Sequence, residues 1–142
     1  MPAGPGPIGF AAFGAVKFAG YLAASVFLKN AYKSSQNVWK VGLVRTVIGL
    51  VFGFAFGGVW ILLSNRFENT WPDWLAGCLF FGLLLPIRLV EWSILIHLYF
   101  DRGLVQRARD LKCAVTGIAW SFVLDGAGIA FAFVVPGGFW IC

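Results

Sequence analysis

The chain has 142 residues, of which 60% are hydrophobic and 12% charged, with a mean hydropathy of +0.83 and a formal charge of +5. These proportions exclude a soluble globular domain and place the chain among integral membrane proteins. The sequence pI near 9.5 is a topology signal and not a nucleic-acid patch, because most of the charge lies within a few residues of an apolar segment.

A hydrocarbon core of about 30 Å is crossed by roughly 20 apolar residues in a helix. The first window of that length, 8–28, is preceded by no basic residue, holds Lys17 inside and lacks a small-residue cleavage site, so it reads as a helix and not a signal peptide. Lys17, Gly20, Tyr21 and Ala24 share one of its faces. The linker that follows contributes Lys29, Lys33 and Lys40.

The second window is 41–63. Arg45, Gly49, Gly53 and Gly57 recur in it at four-residue intervals, an extended small-residue stripe that predicts close approach of a neighbouring helix. Arg45 stands at its basic end and is expected to snorkel to the membrane interface. The next linker holds Arg66 against Glu68 and Asp73.

The third window, 74–100, carries Arg88 and Glu91 one turn apart, able to face the same neighbour. Gly82 and Pro86 loosen its middle, since proline removes a backbone donor. His97 is expected at the interface, capping the helix end where the dipole favours it. Arg102, Arg107, Arg109 and Lys112 lie in the linker after it. The fourth window, 114–135, has a second small-residue stripe of Gly117, Ser121, Asp125 and Gly128, with a carboxylate at its centre.

The expected fold is all-α, one transmembrane domain over 1–142 built as a bundle of four helices, with linkers too short for an extramembrane domain. Seven basic residues lie in the first and third linkers against one in the second. By the positive-inside rule this puts both basic linkers in the cytoplasm and both termini outside, with Trp39 at the inner interface and Trp71, Trp74 and Trp140 at the outer one. The expected location is the bacterial inner (plasma) membrane.

Cys78 and Cys142 then lie on the outer side, where a disulfide is chemically permitted, although cysteines in membrane helices are more often free small hydrophobes. Cys113 faces the cytoplasm. With a single histidine there is no bis-His haem site, and no metal cluster or catalytic constellation is visible. Phosphate-binding loops, a dinucleotide fingerprint and a nucleophile elbow are absent. Four helices of this length are similar in outline to the membrane-associated eicosanoid and glutathione enzymes, but their Glu-Arg-rich second helix is not matched by VGLVRTVIGL, so no family is assigned.

Ionisable groups in hydrocarbon cost several kcal/mol unless paired or wet. With Arg45 at the surface, the deep set is Lys17 and Arg88 against Glu91 and Asp125, a formal sum of zero, which predicts a buried charge network. Removing Arg88 is then expected to leave a carboxylate unpaired.

Three functions fit this pattern. The first is a structural or accessory subunit of a membrane assembly, its partners being lipid and other membrane subunits or further copies of itself, and not nucleic acid. A second is a small oligomeric transporter or channel that binds an ion or anionic solute through Arg88, Glu91 and Asp125, with Lys17. The third is an enzyme acting on a lipid at the cytoplasmic face through Arg45, His97, Arg102 and Glu91. Whether a cofactor is bound, and which, is not read from the sequence.

Overall fold

The computed structural model describes residues 7–67 and 72–134. They form four α-helices: α1 (Pro7–Tyr32), α2 (Val38–Phe67), α3 (Asp73–Tyr99) and α4 (Arg107–Val134). Three of them are long and apolar enough to cross a membrane, over Ala11–Tyr32, Val38–Arg66 and Trp74–Tyr99, which marks the chain as a multi-pass membrane protein. The fourth, at 28 residues, has about 40 Å of length but carries Arg109, Asp110, Lys112 and Asp125 along it. Trp71, Trp140 and Cys142 lie outside the described residues, and with them the Cys78–Cys142 pairing.

The helices reach further into the basic linkers than the apolar windows predict. Hydropathy marks where a helix can be buried, whereas the helix itself continues until a cap stops it. α1 ends where Lys33 turns left-handed (φ 48°), with the Ser34 N–H donating to the Lys29 carbonyl at 3.0 Å. α2 begins at Asn37, whose side-chain oxygen accepts from the Trp39 N–H at 2.9 Å. The linker after α3 turns at Gly103, where φ is +102°. There Asp101 accepts from the Gln106 N–H at 2.9 Å, and His97 Nδ1 accepts from the Gly103 N–H at 3.1 Å. His97 is exposed at this helix end. Most of the basic residues read as linker therefore stand on the ends of helices.

The bundle is a ring: α1 packs on α2 and α4, and α3 packs on α2 and α4, and diagonal helices meet only through side chains among the described residues. Its hydrophobic core lies in the half nearest the two basic linkers, where Tyr21, Leu28, Val41, Trp92, Leu95, Ile96 and Leu124 are buried. Cys113 is buried among them, so a thiol expected to face water lies inside the packing. The distribution is otherwise inverted relative to a soluble protein. Val47, Val51, Phe54, Ile61, Leu83 and Leu85 are exposed, while Lys17, Arg45, Arg88, Glu91, Asp110 and Asp125 are buried. Trp39 and Trp74, at opposite ends of the bundle, both point outward, as interfacial anchors do.

The α2 glycine stripe does not receive a helix as expected. A β-carbon on Gly57 would meet nothing within 4 Å, and the one on Gly49 would meet the Arg45 side chain and the Tyr21 hydroxyl instead of a backbone. Gly53 is half-buried. The close helix contact is made by Gly42, whose β-carbon would lie 2.8 Å from the Leu22 side chain and 3.5 Å from the Leu22 Cα. On α4, Gly117 is filled by the indole of Trp92 and Gly128 by the ring of Phe13. Small residues at helical spacing mark a groove, and at Gly49, Gly117 and Gly128 the groove is filled by side chains.

Because Gly57 has free space around it, Gly57→Ala is expected to stabilise the protein by up to about 1 kcal/mol through helix propensity alone. Thermal unfolding in detergent measures this; a loss of stability would show that a neighbour occupies the space.

Candidate functional site: a buried charge chain through all four helices

Every helix of the ring contributes an ionisable side chain to its centre. Lys17 of α1 approaches Asp125 Oδ1 of α4 at 2.7 Å, and Asp125 Oδ2 accepts from Arg88 Nη2 of α3 at 2.9 Å. Arg88 Nη1 lies 3.4 Å from Glu91 Oε2, one turn on, and that same oxygen accepts from Arg45 Nη2 of α2 at 2.7 Å. Signs alternate along the chain: Lys17, Asp125, Arg88, Glu91, Arg45. The helical periodicity that put Arg88 and Glu91 on one face is what lets α3 sit in the middle and reach both α4 and α2.

Burial makes the contacts matter. The side chains of Arg45 and Arg88 are 0% and 1% exposed, and those of Glu91 and Asp125 are 2% and 3%. At such depth, mutual attraction must offset the loss of hydration, and it does so only with good geometry and satisfied hydrogen bonds. Aromatic rings supply part of the remainder. The Arg45 guanidinium lies 4.6 Å from the Tyr21 ring and 4.8 Å from the Trp92 ring, and Lys17 Nζ lies 4.6 Å from the Phe13 ring. Ser121 bridges the same layer, accepting from Trp92 Nε1 at 3.1 Å beside Arg45 Nη2 at 3.5 Å.

Arg45 is therefore not interfacial. Its side chain turns into the ring because Gly49, one turn on, leaves room for the guanidinium, while Glu91 and two aromatic faces replace the water it loses. This changes the charge sum. Among the described residues the charge chain therefore holds three bases, Lys17, Arg45 and Arg88, and two carboxylates, Glu91 and Asp125, where two of each were expected. The signal for this is present in the sequence, since Arg45 heads the glycine row, although its position near a basic linker argues for the interface.

A second polar contact, absent from the sequence expectations, ties α1 to α4 nearer the basic linkers. Tyr32 donates to Asp110 Oδ1 at 2.6 Å, and the Arg109 guanidinium lies 4.4 Å from the Tyr32 ring. Asp110 looked like linker; the early start of α4 puts it in the first helical turn, buried against α1. Trp120 of α4 also donates to the Gly20 carbonyl of α1 at 2.9 Å.

Beside the charge chain, between α1 and α4, lies an apolar cavity of about 240 Å³ bordered by Ala24, Phe27, Trp92, Gly117 and Trp120. No group of three or more His, Cys, Asp or Glu side chains able to hold a metal is present among the described residues. Of the residues considered for lipid chemistry, Arg45 and Glu91 meet inside the bundle, whereas His97 and Arg102 are exposed at its end. They do not form one site. Comparison with known protein families, curated proteins and solved structures finds no match for this chain.

Proposed function

We propose that this is a structural or accessory subunit of a membrane assembly, a four-helix bundle that is held in one arrangement by its charge chain and offers its apolar outer face to partner subunits. In this reading α4 crosses the membrane with the other three helices, both termini are outside and the two basic linkers are cytoplasmic. The observation that carries it is the charge chain that links all four helices. Each carboxylate is contacted by two bases from different positions, all of them buried, an arrangement suited to specifying which helices meet. Extraction from the native membrane in mild detergent tests the role. A particle in which this 15.5-kDa chain is accompanied by other polypeptides in fixed ratio is the expected result; a particle containing this chain alone would overturn it.

The depth of the charge chain, with Arg88, Glu91 and Asp125 all buried, favours a second reading, a small oligomeric transporter for an ion or anionic solute, in which these three residues exchange partners with the cargo. A particle of this chain alone, together with anion flux in reconstituted vesicles, would establish that reading in place of the first.

The orientation has its own test. Val105, in the linker between α3 and α4, is 77% exposed, so Val105→Cys in a background without Cys78 and Cys142 is expected to react with an impermeant thiol reagent only from the cytoplasmic side. Cys113, 6% exposed, is expected to stay unlabelled until the protein unfolds. Labelling of Val105→Cys in intact cells would reverse the orientation.

A further inference from the structure

Side chains clasp α1 to α4 at two levels, and the apolar cavity lies between them. Nearer the basic linkers Tyr32 donates to Asp110 Oδ1 at 2.6 Å; deeper in the bundle Trp120 Nε1 donates to the Gly20 carbonyl at 2.9 Å. The cavity of about 240 Å³ between these contacts is lined by Ala23 and Ala24 on α1 and by Cys113 and Thr116 on α4, with Trp92 of α3 among its walls. Ala23 and Thr116 are exposed while Cys113 and Trp92 are buried, so the space is a cleft that opens on the outer surface of the bundle. An apolar cavity stays dry and takes apolar ligands. What enters this one is hydrocarbon.

The place of the cleft along the helices says which hydrocarbon. The apolar span of α1 covers Ala11–Tyr32, which puts Ala23 and Ala24 within the hydrocarbon layer and Tyr32 at its edge. At that edge the Arg109 guanidinium lies 4.4 Å from the Tyr32 ring. Arg109 makes no ion pair among the described residues, and its buried Nε makes no hydrogen bond. Lys112, exposed, stands one turn before Thr116 on the same face of α4. The adjoining segments 29–40 and 101–112 hold seven bases against Asp101 and Asp110. From Arg109 to Trp120, about 16 Å of helix, the seam thus passes from positive charge at the membrane edge to apolar wall within it. A phospholipid presents an anionic phosphate and then hydrocarbon in the same order and at the same depths, and basic sites between membrane helices on the basic-linker side bind anionic headgroups. We propose that the α1–α4 cleft binds an anionic phospholipid, with one acyl chain lying between the two clasps and the phosphate held by Arg109 and Lys112. This rests on α1 and α4 both meeting lipid, and not on the accessory role, which the extraction experiment tests separately.

The test uses the purified full chain in neutral detergent, with thermal unfolding followed as dioleoylphosphatidylglycerol or dioleoylphosphatidylcholine is added. A ligand that binds only the folded state raises the unfolding temperature as its concentration passes the dissociation constant. The parent is expected to respond to the phosphatidylglycerol at about tenfold lower concentration than to the phosphatidylcholine. Arg109→Gln/Lys112→Gln is expected to abolish that preference. Lys112→Gln alone, at an exposed position, is expected to narrow it to about threefold, and it decides the matter if the double variant does not fold. Lys40→Gln/Arg102→Gln removes as much charge on the α2–α3 side, where Lys40 Nζ stands 6.0 Å from the Tyr99 ring, and is expected to leave the preference intact. Thr116→Phe puts a ring into the cleft from an exposed position and is expected to weaken the response to both lipids. Equal responses of the parent to the two lipids would overturn the proposal. An equal loss of preference in the Lys40/Arg102 variant would also overturn it, since surface charge in general would then be the cause. So would a lipid response that Thr116→Phe leaves unchanged, because the chain would then lie elsewhere and the cleft would be left to a neighbouring polypeptide.

Discussion

Asp125→Leu is expected to be among the most damaging single substitutions in this protein, at about 3–5 kcal/mol. Its carboxylate holds Lys17 at 2.7 Å and Arg88 at 2.9 Å. Without it, Lys17 and Arg88 both lose the carboxylate they share. Arg88→Leu is expected to cost less, about 2 kcal/mol, which reverses the expectation drawn from the sequence that its loss strands a carboxylate. When Arg88 is removed, Asp125 keeps Lys17 and Glu91 keeps Arg45 at 2.7 Å, so two matched pairs remain. Thermal unfolding of both variants in detergent, together with the double mutant Lys17→Leu/Asp125→Leu, checks the order. The double mutant is expected to recover part of the loss, because it removes one of the two bases that Asp125 holds; coupling between contacting residues appears as such a departure from additivity. If Arg88→Leu proves as damaging as Asp125→Leu, the alternating chain is not what holds the bundle.

A second large effect is expected at Gly117. Glycine to alanine inside a helix ordinarily stabilises, since glycine is worse than alanine by about 1 kcal/mol. Here the sign is expected to reverse. A β-carbon on Gly117 would collide with the indole of Trp92, a rigid ring that is 1% exposed and held to Ser121 through its N–H. Trp92 also faces the Arg45 guanidinium at 4.8 Å, so displacing it disturbs the charge chain as well as the core. Overpacking of this kind costs about 1–3 kcal/mol, with Gly117→Leu at the upper end and Gly117→Ala at the lower. Measured beside Gly57→Ala, Gly117→Ala isolates packing from propensity, because both remove a helical glycine. Equal stabilisation by both would mean that the α3–α4 contact yields to a methyl group at no cost.

The two glycines illustrate what could be read from the chain alone. Both sit in rows of small residues at helical spacing, and periodicity treats them alike. Only one has an indole against it. The same limit explains Arg45: its position near Lys40 and the first basic linker argues for the interface, and nothing local to it announces that Glu91, far along the chain, is 2.7 Å away. Asp110 was hidden differently, by a helix start that hydropathy does not detect, since the first turn of α4 is polar.

Membrane character and helical class were determined by the sequence itself. They follow from the length and apolarity of its segments, and these are sums over neighbouring residues that do not depend on how the helices are arranged. That Arg88 and Glu91 face together is likewise local, a consequence of 3.6 residues per turn. Which charges pair, and that Arg45 joins them, were decided by the tertiary structure, in which α3 lies between α2 and α4 around the ring. An electrostatic sum over a buried site depends on distances between segments remote in the chain, and those distances exist only once the helices have packed.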